Sequence, residues 1–273
     1  MRYAARVEYD GTDFSGWQTQ KHDVRTVQQE VERALSKVAD HPLGIVTAGR
    51  TDTGVHATHQ VIHFDSDAGR SEIEWLKGCN RFMSHDVRLH WVRQVDDEFH
   101  ARFGAISRSY RFIIWNESIN SAISRNYATH EYRDLDAGLM AGAGELLLGE
   151  HDFSSFRAAG CQAHSPLRTV QKFSLSQQGQ WLWFDITANA FLQHMVRNIA
   201  GALVEVGCGK RSIGWFEDLL EVRDRTRAGI TAAANGLYLV GVEYPPEFAL
   251  PSQSSAVALW SEASGKSNEP TSR

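Results

Sequence analysis

The chain has 273 residues, enough for one large domain or two small ones around a shared core. Its hydrophobic fraction of 42% and charged fraction of 22% are those of a globular protein, and no apolar run approaches the roughly 20 residues of a membrane-spanning helix. A formal net charge of −5 lacks the basic balance typical of nucleic-acid binders, so any nucleic-acid surface must be a local concentration of cations.

The N-terminal MRYAARVEYDG carries neither the apolar core nor the cleavage site of a secretory signal. Residues 2–9 alternate, with Tyr3, Ala5, Val7 and Tyr9 on one side and Arg2, Arg6 and Glu8 on the other, which marks a half-buried strand. Gly11 to Gln20 reads as a loop. Thr26 and Gln29 have capping-box spacing and open a helix with Val27, Val31, Leu35 and Val38 along one face. A short strand near 44–47 leads into the polar loop Ala48–Ala57, and a longer strand follows over about 58–65. Ser71 with Glu74 caps a second helix that ends near Phe82, and Val87, Leu89, Trp91 and Val95 mark another strand. The order β-α-β-β-α-β is the ferredoxin-like, split βαβ pattern.

The second half repeats that order without sequence identity. A strand is expected over 105–115, then a helix capped by Asp134 with Leu135, Leu139 and Leu146 on one face. Strands fit 168–176 and 181–187, a helix fits 191–207, a short helix 212–221, and LYLVGVEY closes the pattern at Tyr244. The fold class is therefore α+β, in two ferredoxin-like halves, 1–103 and 104–245, with a cleft between them as the natural site. Residues 246–273, rich in Ser, Pro and Ala without periodicity, read as a flexible tail. Cys79, Cys161 and Cys208 are far apart and odd in number, which fits reduced thiols in a cytoplasmic protein better than a disulfide framework.

Chemistry is concentrated in AGRTDTGVHA, where Gly49 and Gly54 bracket Arg50 and Asp52. A nearby guanidinium favours the ionised carboxylate that nucleophilic or general-base chemistry requires. The same residue types also build ordinary turns. Tyr110, within SRSYRF, shares a strand face with Ile106, Arg108, Phe112 and Ile114. An aromatic flanked by arginines suits stacking on an extruded base while the cations hold the backbone, and equally suits a core tyrosine with a paired hydroxyl. Arg197 sits at the edge of its helix's apolar stripe, placed either for a carboxylate or phosphate across a cleft or for solvent. His59 and His63 are about 13 Å apart along a strand, too far to share a metal. HEXXH, GxSxG, GxGxxG and GxxxxGK[ST] are all absent, which removes anchors for a zinc protease, a serine hydrolase and a phosphate-cradling loop.

Taken together, YDGTDFSGWQTQ, TVQQEVERAL, AGRTDTGVHA, FHARFGAISRSYRFIIWN, HDFSSFR and FLQHMVRNIAGALVEVGCGK, in this order and reaching to about Tyr244, resemble the tRNA pseudouridine synthase A family. Trp115 and Thr53 depart from the family's commoner residues there, and neither is a reacting group. The resemblance implies that Asp52 is the catalytic aspartate and that Tyr110 stacks on or near the target base. It further implies that Arg50 assists base extrusion or tRNA binding and that Arg197 pairs with Asp52. It also implies one extended, mainly antiparallel sheet with a central cleft, no cofactor, and a homodimer spanned by tRNA; the histidine spacing argues separately against a metal. The targets would be uridines on the 3′ side of the anticodon stem-loop.

In that chemistry the base–ribose bond breaks, the uracil turns, and a carbon–carbon bond forms. Asp52 would either attack the sugar C1′ or remove a sugar proton, and Tyr110 would hold the freed uracil and take the proton from C5. Two competitors stand beside this reading. A non-catalytic RNA-binding module is suggested by the fold class but lacks the RNP1 pattern. A small-molecule hydrolase using Asp52 with a histidine lacks a metal or triad signature.

Overall fold

Ten strands and five α-helices make up the described residues, 1–22 and 24–251, of a computed structural model. The first half runs β1 (Arg2–Tyr9), α1 (Val27–Ala39), β2 (Val46–Thr47), β3 (His56–Asp65), α2 (Glu72–Phe82) and β4 (Val87–Val95). Ser71 and Glu74 form a complete capping box at α2. At α1 only half of one forms: the Thr26 hydroxyl accepts from the Gln29 amide, and the Gln29 side chain turns back to that hydroxyl. Trp75 of α2 packs its ring against Phe64 of β3 (5.1 Å) and Tyr3 of β1 (5.8 Å), so the alternation of β1 and the stripe of α2 meet in one core. β1 lies antiparallel between β3 and β4, and β2 covers one end of β3, with Val46 opposite His63.

The second half runs β5 (Ser107–Asn116), β6 (Thr129–Glu131), α3 (Ala137–Glu145), β7 (Gly149–Asp152), β8 (Leu167–Gln178), β9 (Trp181–Ala188), α4 (Met195–Gly207), α5 (Ile213–Val222) and β10 (Leu237–Glu243). β10, β5, β9 and β8 are antiparallel neighbours in that order, the relation that β4, β1, β3 and β2 show in the first half. The halves meet where β10 lies parallel to β3, pairing Tyr238 with His56 and Leu239 with Ala57. The imidazole of His56 stacks on the Tyr238 ring at 4.7 Å. The result is one mainly antiparallel sheet in the order β4-β1-β3-β10-β5-β9-β8-β7. Its seam falls directly after the polar loop 48–55, so residues of both halves converge there.

Several expectations change. α3 is capped by Asp136, whose carboxylate accepts from the Leu139 amide at 2.9 Å, and not by Asp134. Moving a cap by two residues turns a helix by about 200°. The buried face is therefore Met140, Ala143 and Gly144, and Leu139 is exposed. Gly144 is required there, since any Cβ would overlap the Phe173 ring of β8. α4 starts at Met195 and not at 191, because His194 is left-handed (φ 61) and ends a turn before the helix begins. At the far end, Pro246–Phe248 form a 3-10 turn whose Phe248 ring meets Phe99 edge-on at 5.1 Å. The first residues of the expected tail are thus packed; its remainder, 252–273, lies outside the described residues. No described helix is long and apolar enough to cross a membrane.

Candidate active site

The loop between β2 and β3 is held on the glycines of the preceding β1–α1 loop. A Cβ on Gly11 would overlap the Val55 carbonyl, and one on Gly16 (φ +88) would stand 2.9 Å from the Thr51 carbonyl oxygen. Thr51 is buried, its hydroxyl 2.7 Å from the Tyr9 hydroxyl, and its carbonyl accepts from the Trp17 amide at 3.0 Å. The Val55 amide donates to the Asp52 carbonyl at 3.1 Å, with Gly54 left-handed at φ 78, and this closes a tight turn. The turn is real. Its packing leaves the Asp52 side chain partly open to solvent and aimed at the other half.

Two groups from that half meet the carboxylate. Arg197 Nη1 donates to Asp52 Oδ2 at 3.3 Å, and His194 Nε2 lies 3.4 Å from the same oxygen. Among the described residues Oδ1 takes part in no hydrogen bond. Arg197 is itself aimed: its Nε donates to the Ala232 carbonyl at 2.9 Å, and the Ala232 amide donates back to the Arg197 carbonyl at 3.0 Å. A solvated arginine is therefore excluded. An ion pair this long and this open to water contributes about 1 kcal/mol or less to stability. Its consequence is orientation.

Tyr110 of β5 is buried, with its ring edge-on to Phe191 at 4.9 Å. Its ring belongs to the main hydrophobic cluster, and its hydroxyl makes no hydrogen bond among the described residues. Burial and then the Asp52 charge push its phenol up to about 12, so it is neutral at ordinary pH. Tyr110→Phe removes only a hydroxyl without a partner among the described residues, so it should shift Tm by no more than about 2 °C while slowing any reaction at Asp52 by about a hundredfold, the scale of a misplaced reactant. A large fall in Tm, read by calorimetry, would leave Tyr110 a packing role alone.

The arginines beside Tyr110 do not hold a ligand backbone. Arg108 is buried and donates to the carbonyls of Ala48 (3.0 Å), Arg102 (2.6 Å), Ala105 (3.0 Å) and Asn189 (3.0 Å). Arg111 points to the opposite sheet face and pairs with Asp185 at 2.7 Å. Arg108 thus ties the start of the Asp52 loop to the end of β9, a role spacing did not show. Arg50 is exposed at the loop's edge and forms no side-chain hydrogen bond or ion pair among the described residues. His194 has no motif of its own; its place three residues before Arg197 is the only local signal that it reaches the same carboxylate.

The model of a family described as tRNA pseudouridine synthase matches residues 5–104 and 143–245 of the chain. A protein of Aeromonas salmonicida named tRNA pseudouridine synthase A is 52% identical over 251 residues, 92% of this chain and 93% of its own length. Its namesake in Aeromonas hydrophila subsp. hydrophila is 51% identical over 92% of this chain and 93% of its own. The corresponding protein of Psychromonas ingrahamii is 49% identical over 92% and 96%.

Proposed function

The chain belongs to the tRNA pseudouridine synthase family, isomerases that convert uridine to pseudouridine in tRNA, and on that premise we propose that Asp52 is the reacting group and the anticodon stem-loop its target. The observation that carries the assignment of Asp52 is its asymmetric setting: Oδ2 is bonded by Arg197 and approached by His194 from the other half, and Oδ1 is unengaged among the described residues. A uridine extruded from its stack, at a cost of a few kcal/mol, offers its ribose to that oxygen. Asp52 then attacks C1′ or removes a sugar proton. Tyr110 holds the freed uracil against loss until the carbon–carbon bond forms, and the C5 proton then leaves to the Tyr110 hydroxyl or to water. Arg50, exposed and without a side-chain partner among the described residues, is placed to meet the tRNA backbone or the gap left by the extruded base.

Residues 1–103 and 104–245 act as the two halves of this site, in a cytoplasmic homodimer that one tRNA spans; the family resemblance supports the dimer, and sedimentation equilibrium checks it. The deciding experiment incubates purified protein with an unmodified tRNA transcript and no added cofactor, then maps pseudouridine by chemical derivatisation and primer extension. Product in the anticodon arm is expected. Tight tRNA binding without product would favour the RNA-binding module. Affinity should also fall linearly in log–log terms with salt, by a slope of about −0.9 per neutralised phosphate on duplex segments, because the chain's net charge of −5 leaves binding to local cations. A flat titration by filter binding would remove the cationic cleft.

A further inference from the structure

His194 is the residue before α4, and its backbone is left-handed at φ 61, a conformation that asparagine, aspartate and histidine tolerate better than other side-chain-bearing residues. It occupies the N-cap position, yet its side chain makes no capping hydrogen bond. Its Nε2 instead reaches Asp52 Oδ2 at 3.4 Å, across the seam between the halves. The turn behind it is pinned: the Ala158 amide donates to the Gln193 carbonyl at 3.1 Å, and the Asn198 amide donates to the His194 carbonyl at 2.9 Å. The strained backbone therefore serves a side chain that leaves its own helix for the carboxylate.

A single donor leaves a carboxylate free to turn about its Cβ–Cγ bond, whose torsional profile is broad. The Arg197 hydrogen bond together with the His194 ring, whose Nε2 lies 3.4 Å from the same oxygen, restricts that rotation. We propose that His194 is a positioning residue for the isomerisation: with Arg197 it fixes the plane of the Asp52 carboxylate so that Oδ1 faces the ribose of the extruded uridine. The inference rests on the assignment of Asp52 above.

The competing role is that of a cap alone, and His194→Asn separates the two. Asparagine accepts left-handed backbone and caps helices well, but it is too short to reach Asp52. His194→Gln restores a polar side chain of similar reach. In a single-turnover pseudouridine assay with filter binding of the same tRNA, His194→Asn should keep its Tm and keep Kd within about twofold, and lose about tenfold to a hundredfold in rate, the scale of a misplaced reacting group. His194→Gln should recover to within about threefold of wild type. A wild-type rate for His194→Asn, a His194→Gln as slow as His194→Asn, or a rate loss matched by lost affinity would each overturn the proposal. Asp52→Asn runs alongside: if it is inactive and His194→Asn is normal, only the positioning role fails, and if it turns over, the assignment of Asp52 fails first.

Discussion

Asp52→Asn is expected to give a folded protein that binds tRNA and forms no measurable pseudouridine, a loss of at least about a thousandfold in single-turnover rate. The amide preserves the size and shape of the side chain, and the Asp52 carbonyl that closes the turn with the Val55 amide is untouched. What disappears is the negative charge facing Arg197 and His194. Because both partners are partly exposed, that loss destabilises the fold by about 1 kcal/mol or less, and at this chain length Tm moves by roughly 2–4 °C. Affinity for tRNA, a polyanion, should hold or rise slightly. Neither the nucleophilic nor the general-base route survives a neutral amide. Appreciable turnover by folded Asp52→Asn would sink the assignment, and a collapse in Tm would make the loop a structural turn first.

Legibility in the sequence followed the range of the interactions involved. Residues 2–9 and the Ser71–Glu74 box are local patterns, and β1 and α2 appear where those patterns put them. The phase of α3 follows from its cap: with Asp136 in place of the expected Asp134, the face carrying Leu139 turns to solvent. β6 and β7 span three and four residues, too short to show alternation, and exist because β5 and β8 offer them edges. The seam between halves consists of two parallel residue pairs, His56–Tyr238 and Ala57–Leu239, for which neither strand carries a local signal. The same holds in the site. Asp52 and Arg197 came from a matched motif, and their contact was expected only through the resemblance. Arg108 looked like a ligand-facing cation because nothing in SRSYRF shows that its partners are carbonyls at Ala48, Arg102, Ala105 and Asn189.

YDGTDFSGWQTQ is the clearest case of a segment visible as a motif whose physical task is nonlocal, and it carries the second large effect. Gly11→Ala should destabilise the protein by about 2–4 kcal/mol, a fall in Tm of roughly 5–15 °C, and lower the rate about a hundredfold even at temperatures where the variant is folded. Gly11 needs no unusual backbone angle; what it lacks is room, since the added methyl would overlap the Val55 carbonyl and come within 3.1 Å of the Val55 amide nitrogen. Neither side yields easily. The Gly11 amide donates to His56 Nδ1 at 3.0 Å, and the Gly11 carbonyl accepts from the Phe14 amide at 3.1 Å. Val55 is tied to Asp52 through the turn. Separation of the two loops therefore moves Asp52 away from Arg197 and His194, so activity suffers more than the lost stability requires. Gly69→Ala is the matched control: Gly69 is left-handed (φ +64) with nothing within 4 Å of an added Cβ. It should cost about 1 kcal/mol through backbone strain alone and leave the rate unchanged. If Gly11→Ala instead matches Gly69→Ala in both Tm and rate, the β1–α1 loop does not set the position of Asp52.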